Sequence, residues 1–125
     1  MCDSDSHYIR VGIASKIMDA VSHGSGGSIN MKGMHPTGGY MVGGKSWTLT
    51  ARPEQFDSYT VMDFLEAHTT VLTWGTVYVG WWWNGGRIFL DISDNVKEFI
   101  PAYDLGQRRK ELAIWDVLRE TEITL

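Results

Sequence analysis

The chain has 125 residues, 43% hydrophobic and 21% charged, with a formal net charge of -4 and one cysteine, Cys2. That describes a single globular domain, 1-125, long enough to bury a core without disulfides or a structural metal. The acidic balance argues against direct nucleic-acid binding, which needs a basic stripe against phosphates, and the lone cysteine fits a reducing compartment. No apolar run reaches the length of a membrane span, and the start lacks the basic-then-apolar pattern of a secretory leader. The expected location is therefore cytoplasmic, with no membrane contact.

In chain order, Met1 to Ser6 reads as a flexible polar tail. Ile9, Ile13, Ile17 and Val21 recur at helical spacing, which predicts an amphipathic helix over Tyr8 to Ser22. Ser6 is its expected N-cap and His23-Gly24 its stop. Residues 24-46 are dense in glycine. Within them Ser28 to Met31 and Tyr40 to Val42 predict short strands around a turn at His35-Pro36-Thr37-Gly38, forming an irregular, bulged pair. Trp47 to Thr50 predicts a further strand, ended by Arg52-Pro53. Asp57 or Ser58 caps a second helix, about Tyr59 to Thr69, with Val61, Phe64, Leu65 and His68 on its buried side.

The stretch from Thr76 to Ser93 carries the strongest signal. Two runs rich in β-branched and aromatic residues flank Asn84-Gly85-Gly86, which predicts a β-hairpin. Alternation places Val77, Val79, Trp81 and Trp83 on one face with Ile88, Leu90 and Ile92. Tyr78 and Trp82 share the other face with Phe89, Asp91 and Ser93. A first strand apolar on both faces is either covered on both sides, burying all three tryptophans, or covered on one side with a binding face on the other. After it, Ser93 or Asp94 is the expected cap of a third helix whose apolar side is Val96, Phe99, Ile100 and Tyr103, with a break or a kink at Pro101. Gln107-Arg108-Arg109-Lys110 suits the negative end of that helix. Leu112 to Val117 predicts a strand, with Glu122 to Leu125 as its hairpin partner or a fraying tail. The sum is α+β: an antiparallel sheet around a central Trp-rich hairpin, with about three helices packed on it.

Among chemical motifs, Gly39 to Ser46 matches the phosphate-loop pattern through Gly39, Gly44, Lys45 and Ser46. The context opposes a nucleotide site, because such a loop leaves a buried parallel strand and opens a helix, whereas Trp47 to Pro53 favours a strand and a stop. Cys2, Asp3, Asp5 and His7 form a ligand-like cluster on the tail, but no convergent set of metal ligands emerges, and no cofactor is expected. Ser25 or Ser28 beside His23 lacks the orienting third group of a nucleophile. A metal-independent nuclease or transferase would need His35, Thr37, Arg52 and Asp91 brought together in a cleft beside the Gly-rich loops.

The order Gly26-Gly27-Ser28-Ile29-Asn30, Gly39-Tyr40-Met41-Val42, Gly80-Trp81-Trp82, Leu90-Asp91-Ile92-Ser93 and Ala113-Ile114-Trp115-Asp116 is similar to small proteins and domains encoded by phages and mobile elements of actinobacteria. That resemblance covers about Gly26 to the end and implies an accessory phage protein. With small size, acidity and surplus aromatics, it leads to the expectation of a non-catalytic binding protein acting in the host cell. The expected partner is a host protein or ribonucleoprotein defence complex, such as a CRISPR effector, blocked by acidic and aromatic contacts. The candidate contacts are Trp82, Asp91, Asp94, Glu98, Asp104, Glu120 and Glu122. A small enzyme and a virion component are the alternatives.

Overall fold

The computed structural model describes residues 3-125, with side chains from Ser6 onward. Of the terminal Cys2, Asp3, Asp5 and His7 cluster, Cys2 and the side chains of Asp3 and Asp5 lie outside the described residues. The fold is α+β, as the sequence predicts. Three helices, α1 (Asp3–Ser22), α2 (Ser58–Ala67) and α3 (Phe99–Arg108), accompany a seven-stranded antiparallel sheet. Its strands are β1 (Gly27–Ile29), β2 (Tyr40–Val42), β3 (Leu49–Ala51), β4 (Val77–Asn84), β5 (Arg87–Val96), β6 (Ala113–Asp116) and β7 (Thr121–Thr124). No helix among the described residues is long and apolar enough to cross a membrane.

The β4–β5 hairpin is the centre of the sheet. It pairs Val77 with Asp94 through to Asn84 with Arg87, and turns on Gly85 and Gly86, both at positive φ. The reversal is thus a two-residue turn, with Asn84 the last residue of its strand. β1 adds to the free edge of β4, with Gly27 opposite Trp81 and Ile29 opposite Val79. Two strands share the free edge of β5: β3 pairs with Ile88 to Leu90, and β2 with Asp94 to Val96. β6 and then β7 extend the sheet beyond β2. β1 and β2 are therefore not the bulged pair expected, because residues 30-39 carry the chain from one edge of the hairpin to the other. Asn95 Nδ2 donates to the Gly38 carbonyl at 2.9 Å, and the His35 Nδ1–H to the Ser28 carbonyl at 2.8 Å, tying down that crossing.

Hydrophobic alternation decides which face is covered. Val77, Val79, Trp81, Ile88, Leu90 and Ile92 form one core with Ile13 and Ile17 of α1 and Val61, Phe64 and Leu65 of α2. A smaller core joins Val42 and Ile114 to Ala102 beneath α3, with Val96 and Leu105 against it. The register gives both cores the same face of the sheet.

Three boundaries differ from expectation. α1 begins at Asp3, so Ser6 lies within it rather than capping it. β5 runs to Val96 because Asp94 has ladder partners on both sides, so neither Ser93 nor Asp94 caps α3. Glu98 stands at that cap without a side-chain bond. Pro101 is the third residue of α3, where the missing N–H has no intrahelical acceptor, so no break occurs. α3 buries Ala102 and Gly106, and leaves Phe99, Ile100 and Tyr103 exposed. α2 is as expected: the Asp57 carboxylate accepts from the Thr60 amide, and His68 is buried. β6 and β7 form the C-terminal hairpin.

Packing against Trp81 gives the first prediction. A Cβ on Gly27 would lie 2.7 Å from the Trp81 ring, whereas one on Gly12, inside α1, meets nothing within 4 Å. Gly27→Ala is expected to lower stability by about 1–3 kcal/mol through overpacking. Gly12→Ala is expected to raise it by up to about 1 kcal/mol. Urea denaturation midpoints of the two variants should move in opposite directions.

Candidate functional site

Between β2 and β3 the edge of β5 has no strand partner, and residues 43-48 arch across the opening. The Lys45 amide donates to the Ile92 carbonyl at 3.2 Å, the arch's bond to that edge. Asp91 sits under the arch, 7% exposed between the apolar Leu90 and Ile92 of β5. A Cβ on Gly43 would lie 2.5 Å from its Oδ2, and one on Gly80 would lie 2.6 Å from its Oδ1. The carboxyl thus fills the space that side chains at both neighbours would occupy, so glycine is required there. Glu111 reaches the same spot, with Oε1 2.7 Å from the Gly43 position.

Burial, and then the Glu111 charge, push Asp91 from 3.8 up to about 6, while the Ser93 hydroxyl pulls the other way. Burial also raises Glu111, against the lowering influence of Arg109. Arg109 holds the arch from the other side. Its Nη1 donates to the Val42 and Gly43 carbonyls at 3.2 and 3.0 Å, and its Nη2 donates to Asp94. Lys45 also pairs with Asp94, at 3.3 Å. The cluster is two carboxyls that burial makes readier to take up a proton, beside an Asp94 ion pair with Arg109 and Lys45. Its chemistry is that of a buried lock.

The arch has a second anchor. The Phe64 carbonyl can only accept, so His68 Nδ1 carries the proton and donates at 2.8 Å. Nε2 then accepts the Ser46 hydroxyl at 3.0 Å. The Trp47 ring packs on His68 and on Phe64, with centroids 4.6 and 5.1 Å apart. This bond ties residues 45-47 to the end of α2.

The phosphate-loop match therefore spans β2 and leads into β3 rather than a helix. Its Lys45 faces Asp94, and its Ser46 faces His68. Of the catalytic alternative, His35 bonds Ser28, Arg52 pairs with Glu54 at 3.5 Å, and Thr37 is exposed, while Asp91 is buried with Glu111. No three of His, Cys, Asp and Glu group as metal ligands among the described residues. Glu111 and Arg109 are the members of the cluster that the sequence did not single out.

The other candidate is the hairpin tip. Ladder partners stop at Trp81 on the β4 edge and at Ile88 on the β5 edge, so residues 82-87 project beyond the flanking strands. Trp81 is buried under the helices, and its indole N–H bonds the Ser25 carbonyl at 3.0 Å. Trp82 and Trp83 are 37% and 38% exposed, on opposite faces. Trp82 stacks on its cross-strand partner Phe89, with centroids 5.3 Å apart and planes 4° from parallel. The reading in which all three tryptophans are buried does not hold: Trp81 is core, and Trp82 points away from the helices with Trp83 also partly exposed. Among the acidic candidates, Asp91 is buried and Asp94 is engaged by Arg109 and Lys45, so neither is offered to a partner. Asp104 is exposed and paired with Arg108, and Glu98, Glu120 and Glu122 are exposed.

Compared with protein families, with characterised proteins and with solved structures, the chain matches none.

Two outcomes follow from the arch. Asp91 titrates higher in the folded state, so its contribution to stability is full below pH 3.8 and lost as pH rises through about 6. Asp91→Asn is expected to remove that loss, at most about 3 kcal/mol, flattening the urea midpoint between acid and neutral pH. Parallel profiles for wild type and variant would contradict it. Ser46→Ala strands a buried imidazole nitrogen and is expected to lower stability by about 1–3 kcal/mol in the same assay.

Proposed function

We propose that the chain is a non-catalytic binding protein that docks through the β4–β5 tip. The observation that carries this reading is the half-exposure of Trp82 and Trp83 on a hairpin end with no flanking strands. A tryptophan already ordered by stacking on Phe89 loses little freedom on binding and offers a large apolar surface. Tryptophan is enriched among the few residues that dominate interface energies. The pairing of Asp94 with Arg109 and Lys45 also favours binding over catalysis, since those charges are engaged with one another.

The partner in this proposal is a host protein or ribonucleoprotein defence complex. Two things support that class: the resemblance to phage-encoded accessory proteins, and a net charge of -4 that complements a basic channel. Glu98, Glu120 and Glu122 supply exposed carboxylates for steering, with Asp104 contributing less because it is already paired.

Tagged protein used to capture partners from host lysate, eluted along a salt gradient, tests the reading. Trp82→Ala is expected to weaken capture by about 30-fold or more, the effect of losing an interface anchor. Glu98→Lys with Glu120→Lys and Glu122→Lys is expected to slow association and lower the salt needed for release. Capture unchanged by Trp82→Ala and Trp83→Ala together would remove the tip from the interface.

A further inference from the structure

A cleft of about 290 Å³ opens between the first half of α1, the turn after β1 and the segment before β4. None of its lining residues belongs to the hairpin tip or to the arch. Ile9, Leu65, Leu72 and Trp74 give it apolar walls. Its charged lining residues among the described ones are Arg10 and Lys32, although the chain as a whole is acidic. Two cations beside an apolar hollow favour an anion there.

Arg10 adds an independent observation. Its Nε is buried and has no hydrogen-bond partner among the described residues. Buried donors are almost always paired, so an orphan on a cleft wall points to an acceptor that arrives from outside. Both rims are also preorganised. The Asn30 side chain accepts from the Lys32 and Met34 amides at 3.0 and 2.9 Å, and its carbonyl accepts from the Gly33 amide at 3.0 Å, which fixes the turn bearing Lys32. On the opposite rim, the Trp74 amide bonds the Val71 carbonyl, and the Val77 amide bonds the Trp74 carbonyl at 3.0 Å. Trp74 is 66% exposed, an open platform at the mouth.

We propose that this cleft binds a small organic carboxylate with a flat apolar body. The planar carboxylate takes the Arg10 Nε–H and the adjacent Nη–H side-on once the guanidinium turns toward the hollow. Lys32 adds a second charge at the rim, and the body lies against Leu72 and Trp74. The volume is at the low end of small-molecule sites, which suits a single ring rather than a dinucleotide.

The test is an NMR titration of the whole chain, following backbone amides and arginine Nε–Hε signals, with Arg10 assigned by its loss in Arg10→Lys. Benzoate and indole-3-acetate are the carboxylate probes, indole-3-acetamide is the neutral isostere, and phenyl phosphate is the tetrahedral anion. Saturable shifts of the Arg10 Nε–Hε and Trp74 signals with the carboxylates are expected, together with at least tenfold weaker binding of the amide. Arg10→Lys should weaken binding at least tenfold. Lys32→Ala, a surface change that leaves the core untouched, should weaken it several-fold. An unmoved Arg10 signal at millimolar carboxylate, equal binding of the amide, or saturation by phenyl phosphate alone would each overturn the assignment. The hairpin variants Trp82→Ala and Trp83→Ala should titrate like wild type, so failure here is separable from failure of the docking proposal.

Discussion

One strand serving two partners along a single edge sets the constraints on much of this molecule. β5 gives its first residues to β3 and its last to β2, leaving a stretch between them with no neighbouring strand. Backbone groups around such an opening need partners: the Lys45 amide serves the Ile92 carbonyl, and Arg109 serves the Val42 and Gly43 carbonyls on the arch side. The arch must also pass close to β5, and there a side chain would strike Asp91 or Glu111. The Gly-rich composition that resembles a flexible linker is thus what a tightly packed crossing requires.

Placing a carboxyl under the arch has an energetic logic. An ionised group there would be desolvated beside a second carboxylate, so protonation is the favoured way to keep it. Asp94, a short distance along the same strand, is held in the opposite manner, by two cations. Neighbouring positions of β5 thus manage buried charge in two ways, one by proton uptake and one by pairing.

The sequence showed those parts of the fold that local physics decides. Alternation and the Gly85-Gly86 reversal marked the hairpin, and Asp57 with the spacing of Val61, Phe64, Leu65 and His68 marked α2. Partner choice was hidden, because β1 and β2 look alike as isolated short strands and only the crossing at 30-39 separates them. Ser93 and Asp94 read as a helix cap since the ladder that keeps them extended comes from β2 and β4, far away in the chain. Within the cluster the sequence pointed to Asp91 and Asp94 as candidate carboxylates. Arg109 and Glu111 gave no such hint. In sequence they belong to a basic helix end, and only the return of the chain after α3 turns them toward the arch.

The routing of β1, β2 and β3 has a consequence for synthesis. Each of these strands pairs with β4 or β5, and none pairs with another of the three. A chain emerging from the ribosome therefore carries three strand segments with no ladder to join until the hairpin has left the exit tunnel. Until then α1 and α2 can meet only each other, with their apolar stripes otherwise open to solvent. Sheet assembly is consequently a late event triggered from the second half of the chain, with the N-terminal strands clipping onto both edges of a hairpin made after them.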